Sequence, residues 1–386
     1  MNAGHLQRIE VSFERTDTIE FLLDDDAELT WLRTVDLGRY QRLLVFIDAN
    51  VSRLWGERLA AALATHGKDT FWHVVEADET SKSLSYYPTA LAFLEAHGAG
   101  RYDLVVAIGG GVVCDLVSFL ASTYMRGLPF YAIATTLVAQ MDATTAGKTC
   151  LNTESAKNVL GTFYYPLVVY NNTEFLLTNS PYYLRQGFSE VYKYGLLRTP
   201  ELVRVLEAHH DAPTAATLRE VLRLSIETRV RIRKEDPLAS NLGHTFGHAI
   251  EKLSGFEILH GDAISAGSVM AFHYARRQGL MDTDTVRALE QQMQRLNLNV
   301  YFDRSLSAHD MVRLMLRDKK SSANALYLVL IEAPGKPYVR DGSFFYRADP
   351  RDVEAFLEEY LSTSAFGMDG CARFLKRDVL YDGVRA

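Results

Sequence analysis

The sequence predicts an α/β protein in which an N-terminal Rossmann-like open parallel sheet is followed by a mainly α-helical C-terminal domain. Three observations predict it. Through the first half, short β-branched apolar runs alternate with amphipathic stretches, the rhythm of βαβ units. Two of those runs end in DAN at 48–50 and GGG at 109–111, and in open α/β sheets ligands sit beyond the carboxyl ends of strands. After residue 180 the pattern turns to helical periodicity. A chain of 386 residues exceeds what one core usually organises, so two domains, 1–180 and 181–386, are expected.

In chain order, RLLVFIDANV (42–51) reads as a buried strand, SRLWGERLAAALATHG (52–67) as a helix and TFWHVVEAD (70–78) as a second strand. SYYPTALAFLEAHGAG (85–100) is a helix closed by glycine. RYDLVVAIGGGVVCDLVSFLAS (101–122) gives a strand, a glycine turn and a helix, and PFYAIATTLVAQ (129–140) another strand. The helical half includes TLREVLRLSIETRVRIRKED (217–236), DTVRALEQQMQRL (284–296) and DPRDVEAFLEEYLSTS (349–364). Between the last two, NALYLVLIEAPGKPYVRDG (324–342) alternates around Pro-Gly and predicts a small hairpin. No linker-like composition marks the boundary near 180, which rests on the change of pattern alone.

An apolar share of 48% with 23% charged residues is ordinary for a globular chain and argues against disorder. The formal net charge of -7 provides no overall cationic field for nucleic acid or an anionic membrane, so any phosphate recognition must be local. Three separated cysteines, Cys114, Cys150 and Cys371, offer neither a disulfide framework nor a metal knuckle, which fits a reducing cytoplasm. No signal-like apolar core and no run of about 18 apolar residues is found, so a soluble cytoplasmic protein is expected.

Three constellations carry chemistry. Gly109-Gly110-Gly111 lets a phosphate approach main-chain N–H groups at a helix start, with Asp115 just beyond and Asp48 and Asn50 placed for ribose hydroxyls. The motif is not GxGxxG, and a ligand-free turn is the competing reading. In NLGHTFGHAIEKLSGFEILHGDAI, His244 and His248 lie four apart on one helix face with His260 beyond a turn, an arrangement suited to a divalent metal. No glutamate follows the first histidine, which removes the metalloprotease reading; plain core histidines remain the alternative. Glu190, an acid inside the apolar GFSEVYKYGLL, is the best carboxylate ligand, against a surface pair with Lys193. The stretch from TYMRG through MDATTAGKTCLNTESAKNVLG gathers Arg126, Asp142, Lys148, Asn152, Lys157 and Asn158, a set suited to a phosphorylated polyol or, less specifically, a solvated loop. Lys319 and Lys320 add a basic spot.

Taken together, DAN, Glu79-Thr80-Ser81-Lys82, GGGVVCD, Thr135-Thr136-Leu137, MDATTAGKT, AKN, GFSEVYKYGL, GHTFGH, LHG and DKK resemble, in order, the sugar phosphate cyclase superfamily, of which 3-dehydroquinate synthase is the best-known member. The resemblance implies that Asp48, Asn50, Glu79, Lys82, Gly110, Gly111, Asp115, Thr135 and Thr136 hold NAD, with Phe175 and Thr178 beside the adenosine. It implies a zinc or cobalt ion on Glu190, His244 and His260, with His248 as a hydrogen-bonding or proton-relay group. Arg126, Asp142, Lys148, Lys157, Asn158, Lys193, Asn241 and one of Lys319 or Lys320 would contact the sugar phosphate. The implied reaction removes a hydride to NAD, eliminates phosphate, returns the hydride and closes the ring by an aldol step, so NAD is regenerated. A homodimer is implied as well.

One departure bears on the substrate. The 3-dehydroquinate synthase pattern before the first histidine resembles D-E-x-x-x-G-L-R-x-x-L-N-x-G-H, its arginine meeting a substrate carboxylate. Here RKEDPLASNLGHTFGH has no arginine between Asp236 and Asn241, and Arg229 stands where the family has a lysine. A neutral substrate such as sedoheptulose 7-phosphate or glucose 6-phosphate, in secondary metabolism, is therefore expected. True 3-dehydroquinate synthase is the close alternative, with Arg229 or Arg231 replacing the contact. A glycerol-dehydrogenase-type polyol dehydrogenase is a second class, and a non-enzymatic binding protein a third.

Overall fold

The computed structural model of the chain describes residues 17–362 apart from 77, 146, 154–157, 237, 256, 301–305 and 318–324. Its first half runs β1 (Glu20–Asp24), α1 (Thr30–Thr34), β2 (Arg42–Asp48), α2 (Ala49–Ala64), β3 (Asp69–Val75), α3 (Tyr87–Ala96), β4 (Leu104–Gly109), α4 (Gly111–Thr123), β5 (Phe130–Ala134), a π-helical turn at Ala139–Ala143, and β6 (Val168–Asn172). The six strands pair in parallel in the order β1-β6-β5-β4-β2-β3. Alternation explains how both faces are covered: Leu43, Val45 and Ile47 pack with Trp55 and Leu59 of α2 on one face. Leu44 and Phe46 pack with Leu94 of α3 and Leu116 and Leu120 of α4 on the other. Neither β1 nor β6 was expected from the sequence; β1 is a partly exposed edge strand with a weak pattern.

The chain then turns helical: α5 (Thr173–Leu177), α6 (Pro181–Leu197), α7 (Pro200–His209), α8 (Ala215–Glu235), α9 (His244–Leu253), α10 (His260–Arg277), α11 (Thr283–Arg295) and α12 (Ala308–Met315). Four short strands follow, β7 (Leu326–Leu328), β8 (Ile331–Ala333), β9 (Lys336–Pro337) and β10 (Tyr346–Ala348), before α13 (Pro350–Ser362). The hairpin is narrower than the sequence suggests. β8 and β9 form it around Pro334-Gly335, while β7 pairs with β10. Alternation marks strand residues but does not choose between a near and a distant partner. Helix α6 is buried from Gln186 to Leu197 without interruption, so it is the central helix of this half. Among the described residues no helix is long and apolar enough to cross a membrane.

Candidate active site

From β2 the chain moves outward to β3, then returns to the other side of β2 for β4, so the strand order reverses between β2 and β4. A crevice opens at the carboxyl ends of such a pair. Asp48 and Gly109 end those two strands. Gly110 then caps α4, whose first-turn amides receive no side-chain cap. A Cβ at Gly110 would press on Thr136 Cγ2 at 3.1 Å, and without one the main-chain donors at the start of α4 stay uncovered, the donor set an anionic pyrophosphate needs. Asp48 accepts from Asn50 N (2.7 Å) and Val51 N (3.2 Å) through one carboxylate oxygen, as the N-cap of α2. Thr135 is buried beside Gly109, and Thr136 Oγ1 accepts from Ala139 N at the start of the π-turn. Phe175 is buried edge-on to Trp55, whose Nε1 donates to Thr178 Oγ1 (3.0 Å), so both residues belong to the packed wall of this half.

Beneath the crevice, Lys82 pairs with Asp115 at 2.5 Å. Burial would drive the Lys82 amine down, but Asp115 outweighs it and holds the pKa above its ordinary value. Cys150 Sγ donates to Asp115 Oδ2 (3.3 Å) and Asn158 Oδ1 (3.2 Å), and burial followed by the Asp115 charge pushes its thiol up to about 12. Asn152 Nδ2 donates to Glu79 Oε2 (2.7 Å), and its own Oδ1 accepts from Asn158 N (3.0 Å). Residues expected at the dinucleotide and at the sugar phosphate thus share one network. Cys150 was read only as a poor disulfide candidate; nothing in its sequence neighbourhood announces the aspartate it meets.

The histidine cluster forms where α6, α9 and α10 meet. Gln186 Nε2 donates to Asp262 Oδ2 (2.9 Å), Asp262 N donates back to Gln186 Oε1 (3.0 Å), and Ser265 bonds Ser189 (2.8 Å), fixing the start of α10 on α6. Helix α9 lies against α10 so closely that a Cβ at Gly267 would sit 2.3 Å from Gly243 O. Glu190, His244 and His260 consequently offer donor atoms all within 4.8 Å of one another. Glu190 Oε1 is 3.6 Å from His244 Nε2 and 3.5 Å from His260 Nε2, and it is buried with no hydrogen-bond partner. Ligand arms of about 2.1 Å in tetrahedral array leave donor atoms roughly 3.4 Å apart, so the spacing fits a shared zinc-like cation. The other ring nitrogens are committed: His244 Nδ1 lies 3.1 Å from Leu242 O, and His260 Nδ1 lies 3.3 Å from buried Glu251. Such partners direct Nε2 at a metal.

The three donors differ in their electrostatics, and His260 would have to release a proton to bind a metal. Burial, then the charges of Lys193, His248 and His260, depress His244 well below its usual value, leaving a neutral ligand. Burial opposes the Glu190 carboxylate, but Lys193 and His260 bring it down to about 2. Burial also opposes a charged His260, yet Glu251 and Glu190 hold it up at about 10. Exposed His248 stands beside the cluster, its ring 5.4 Å from that of His244, and forms a second donor group with Glu251 and His260.

Asp142 connects cluster and crevice. Its Oδ1 accepts from Tyr194 OH (2.7 Å) and Arg229 Nε (2.6 Å), and Arg229 also donates to Ser240 Oγ (3.1 Å). Lys193 pairs with Glu190 as the surface reading expected, but both are buried, so it is an interior pair. Asn241 lies one turn before His244 and accepts its backbone N–H (3.2 Å). Lys148 bridges Phe163 in the strand-like arm of the loop. Two expectations need correction. Arg126 is exposed at the far end of α4, about 20 Å of helix from the glycine turn, and is not brought to the cleft of its own chain. Arg229 is held through Nε by Asp142 and through Nη1 by Ser240, so it does not stand as a free carboxylate fork, while Arg231 lines a surface depression with Arg198, Glu201 and Arg204. Lys157, Lys319 and Lys320 lie outside the described residues. Tyr194, Ser240 and Glu251 were missed, since hydrogen-bonding partners of a site carry no spacing signal of their own.

Comparison with known proteins agrees with this geometry. Residues 72–186 match the 3-dehydroquinate synthase N-terminal family and residues 187–321 the 3-dehydroquinate synthase C-terminal family. The chain is 36% identical to 3-dehydroquinate synthase of Streptococcus gordonii over 315 residues, 79% of this chain and 88% of that one. Among solved structures, 2-epi-5-epi-valiolone synthase of Streptomyces hygroscopicus subsp. jinggangensis, with NAD+ and Zn2+ bound, superposes with a TM-score of 0.79 at 26% identity, covering 91% of this chain and 99% of that one. A 2-deoxy-scyllo-inosose synthase complexed with carbaglucose-6-phosphate, NAD+ and Co2+ shares the fold, with a TM-score of 0.78 at 21% identity over 88% of this chain and 96% of that one.

Proposed function

The chain belongs to the 3-dehydroquinate synthase family, and from that membership we propose that it is a sugar phosphate cyclase using NAD and a divalent metal, zinc or cobalt, to convert a sugar phosphate into a carbocyclic ketone with loss of inorganic phosphate. The observation that carries this reading is the orphaned, buried Oε1 of Glu190 between two imidazole Nε2 atoms, which a bound cation would satisfy. Bound NAD would supply reversible hydride transfer, and the metal a Lewis acid for substrate oxygens.

The chain's own groups have distinct tasks in this scheme. Glu190, His244 and His260 would hold the metal, and the first-turn amides of α4 the pyrophosphate. Asp142, positioned by Tyr194 and Arg229, would accept a substrate hydroxyl; Lys193 balances Glu190 beneath it. Exposed His248 would exchange a proton with bound substrate, and Lys148, Lys157 and Asn158 would contact the sugar phosphate. Residues up to 180 would form the cofactor domain and the remainder the metal domain, in a cytoplasmic homodimer.

We assign sedoheptulose 7-phosphate or a similar neutral sugar phosphate as substrate, in secondary metabolism. The support is the absence of arginine between Asp236 and Asn241, with Arg229 paired to Asp142 and Arg231 lining a surface depression. The second reading, 3-dehydroquinate synthase, is favoured by identity to that enzyme of 33–36% across curated relatives. Phosphate release should be measured with sedoheptulose 7-phosphate, glucose 6-phosphate and a carboxylated heptulosonate 7-phosphate, followed by NMR of the product. The expected outcome is phosphate release from a neutral substrate without NADH accumulation. NADH rising with turnover while phosphate stays on the product would establish a dehydrogenase instead.

A further inference from the structure

Arg233, one turn beyond Arg229 on α8, has no role in the scheme above. Its guanidinium lies 5.4 Å from the ring centroid of Tyr165 and 5.7 Å from that of Phe163, and Nη2 donates to Tyr165 OH at 2.5 Å. Nη1 is buried and has no hydrogen-bond partner. A charged N–H sealed from water without an acceptor is expensive, and native proteins satisfy such groups with protein, ordered water or a ligand.

The position of Arg233 is fixed by the arm that carries Lys148. Lys148 and Phe163 are paired in an antiparallel bridge, flanked by Thr149 N to Thr162 O (3.0 Å) and Tyr164 N to Gly147 O (2.8 Å). Residues directly opposite in such a pair project from the same face, and so does the residue two along. Phe163 and Tyr165 therefore share the face on which Arg233 rests, with Lys148 paired opposite Phe163. Tyr165 also lies where a Cβ on Gly147 would be, only 2.2 Å from its ring, so the aromatic ring seats directly against the residue before Lys148. Phe163 is 65% exposed, so one of the two rings beside this guanidinium lies at the surface.

We infer that Arg233 is a specificity-determining residue that donates Nη1 to an oxyanion of the substrate, acting beside Lys148 with Phe163 and Tyr165 as its stacking platform. Guanidinium is suited to this task because its planar fork keeps a stacked orientation while hydrogen bonding a phosphate or carboxylate edge. The inference rests on the cyclase reading for the identity of the substrate but not for the existence of the oxyanion contact, and the test keeps the two apart.

Wild type, Arg233→Gln and Arg233→Lys, loaded with NAD and Co2+, should be titrated with inorganic phosphate by calorimetry. They should then be compared on sedoheptulose 7-phosphate and on the carboxylated heptulosonate 7-phosphate, by KM where turnover occurs and by Kd where it does not. A charge-assisted contact predicts that Arg233→Gln weakens binding about 10-fold or more, with Arg233→Lys intermediate and NAD affinity unchanged. Loss for inorganic phosphate and both sugars assigns the contact to the phosphate; loss confined to the heptulosonate assigns it to a carboxylate. Unchanged affinity for all three ligands overturns the inference, as does a parallel fall in NAD affinity and thermal midpoint, which marks a purely structural residue. If no sugar is turned over, the cyclase reading fails while the affinities still decide Arg233.

Discussion

Glu190 illustrates how residue chemistry depends on where the fold puts it. Its sequence neighbours admit an exposed i,i+3 pair with Lys193, and the pair does form, but at 0% exposure for Glu190 it becomes part of an interior charge cluster. We expect Glu190→Ala to abolish stoichiometric metal binding and phosphate release while far-ultraviolet circular dichroism is unchanged; a full equivalent of tightly bound Co2+ in the variant would refute the assignment. Asp142 gives a pH prediction. Burial raises its pKa, but Arg229 and then Lys193 outweigh that and hold it below the ordinary carboxylate value. A depressed carboxylate contributes stability that is present above about pH 4, its unfolded value, and is lost as pH falls through the lower folded value. Arg229→Gln should therefore cost about 2–3 kcal/mol at pH 7, discounted because Asp142 is partly exposed, and the difference in urea midpoint from wild type should shrink below pH 4. A gap independent of pH would show that Asp142 is not its electrostatic partner.

At the scale of elements, the metal ligands converge because α9 and α10 approach to backbone contact. Gly267→Ala would force a Cβ to 2.3 Å from Gly243 O and 2.7 Å from Gly247 N, so the helices must separate. Overpacking of this kind costs about 1–3 kcal/mol or more, and it should weaken metal affinity together with the thermal midpoint. A variant that loses stability yet keeps wild-type Co2+ affinity would mean that the helix spacing does not set the ligand geometry. Gly110→Val should instead act on the other ligand: its branched side chain meets Thr136 and covers the α4 amides, so NAD affinity measured by fluorescence titration should fall at least about 10-fold with metal content intact. The periodicity that made β2, β4 and α4 legible is physical, since a strand buried on both faces is a continuous apolar run ended by glycine or a cap. β1 escaped notice because an edge strand half open to solvent need not be apolar, and the pairing of β7 because its partner β10 is nearly twenty residues on and nothing local encodes it.

For the whole molecule, the strand order places the reversal between β2 and β4, and α6, which carries Glu190, packs against Leu137 just beyond β5. A Cβ on Gly187 would lie 2.5 Å from Leu137, which records how closely the two halves meet. Because a ligand that binds only the folded state stabilises it by mass action, Co2+ at 100 times its Kd should add about 2.7 kcal/mol to the unfolding free energy of the metal-free protein, and a chelator should reverse both this gain and phosphate release. A thermal midpoint insensitive to metal would count against a site joining three helices. The sequence by itself determined the alternation of strands and helices, the glycine turn, the spacing of the histidines and the family likeness, because these depend on residues near one another along the chain. Only the tertiary structure decided that Glu190 is buried, that Arg229 is already engaged by Asp142, that Arg126 is exposed at the far end of α4 and that Arg233 holds an unsatisfied donor on the arm that carries Lys148. Those facts depend on which groups far apart in sequence come within a few ångströms, and burial, Coulomb energy and hydrogen-bond satisfaction act at that distance alone.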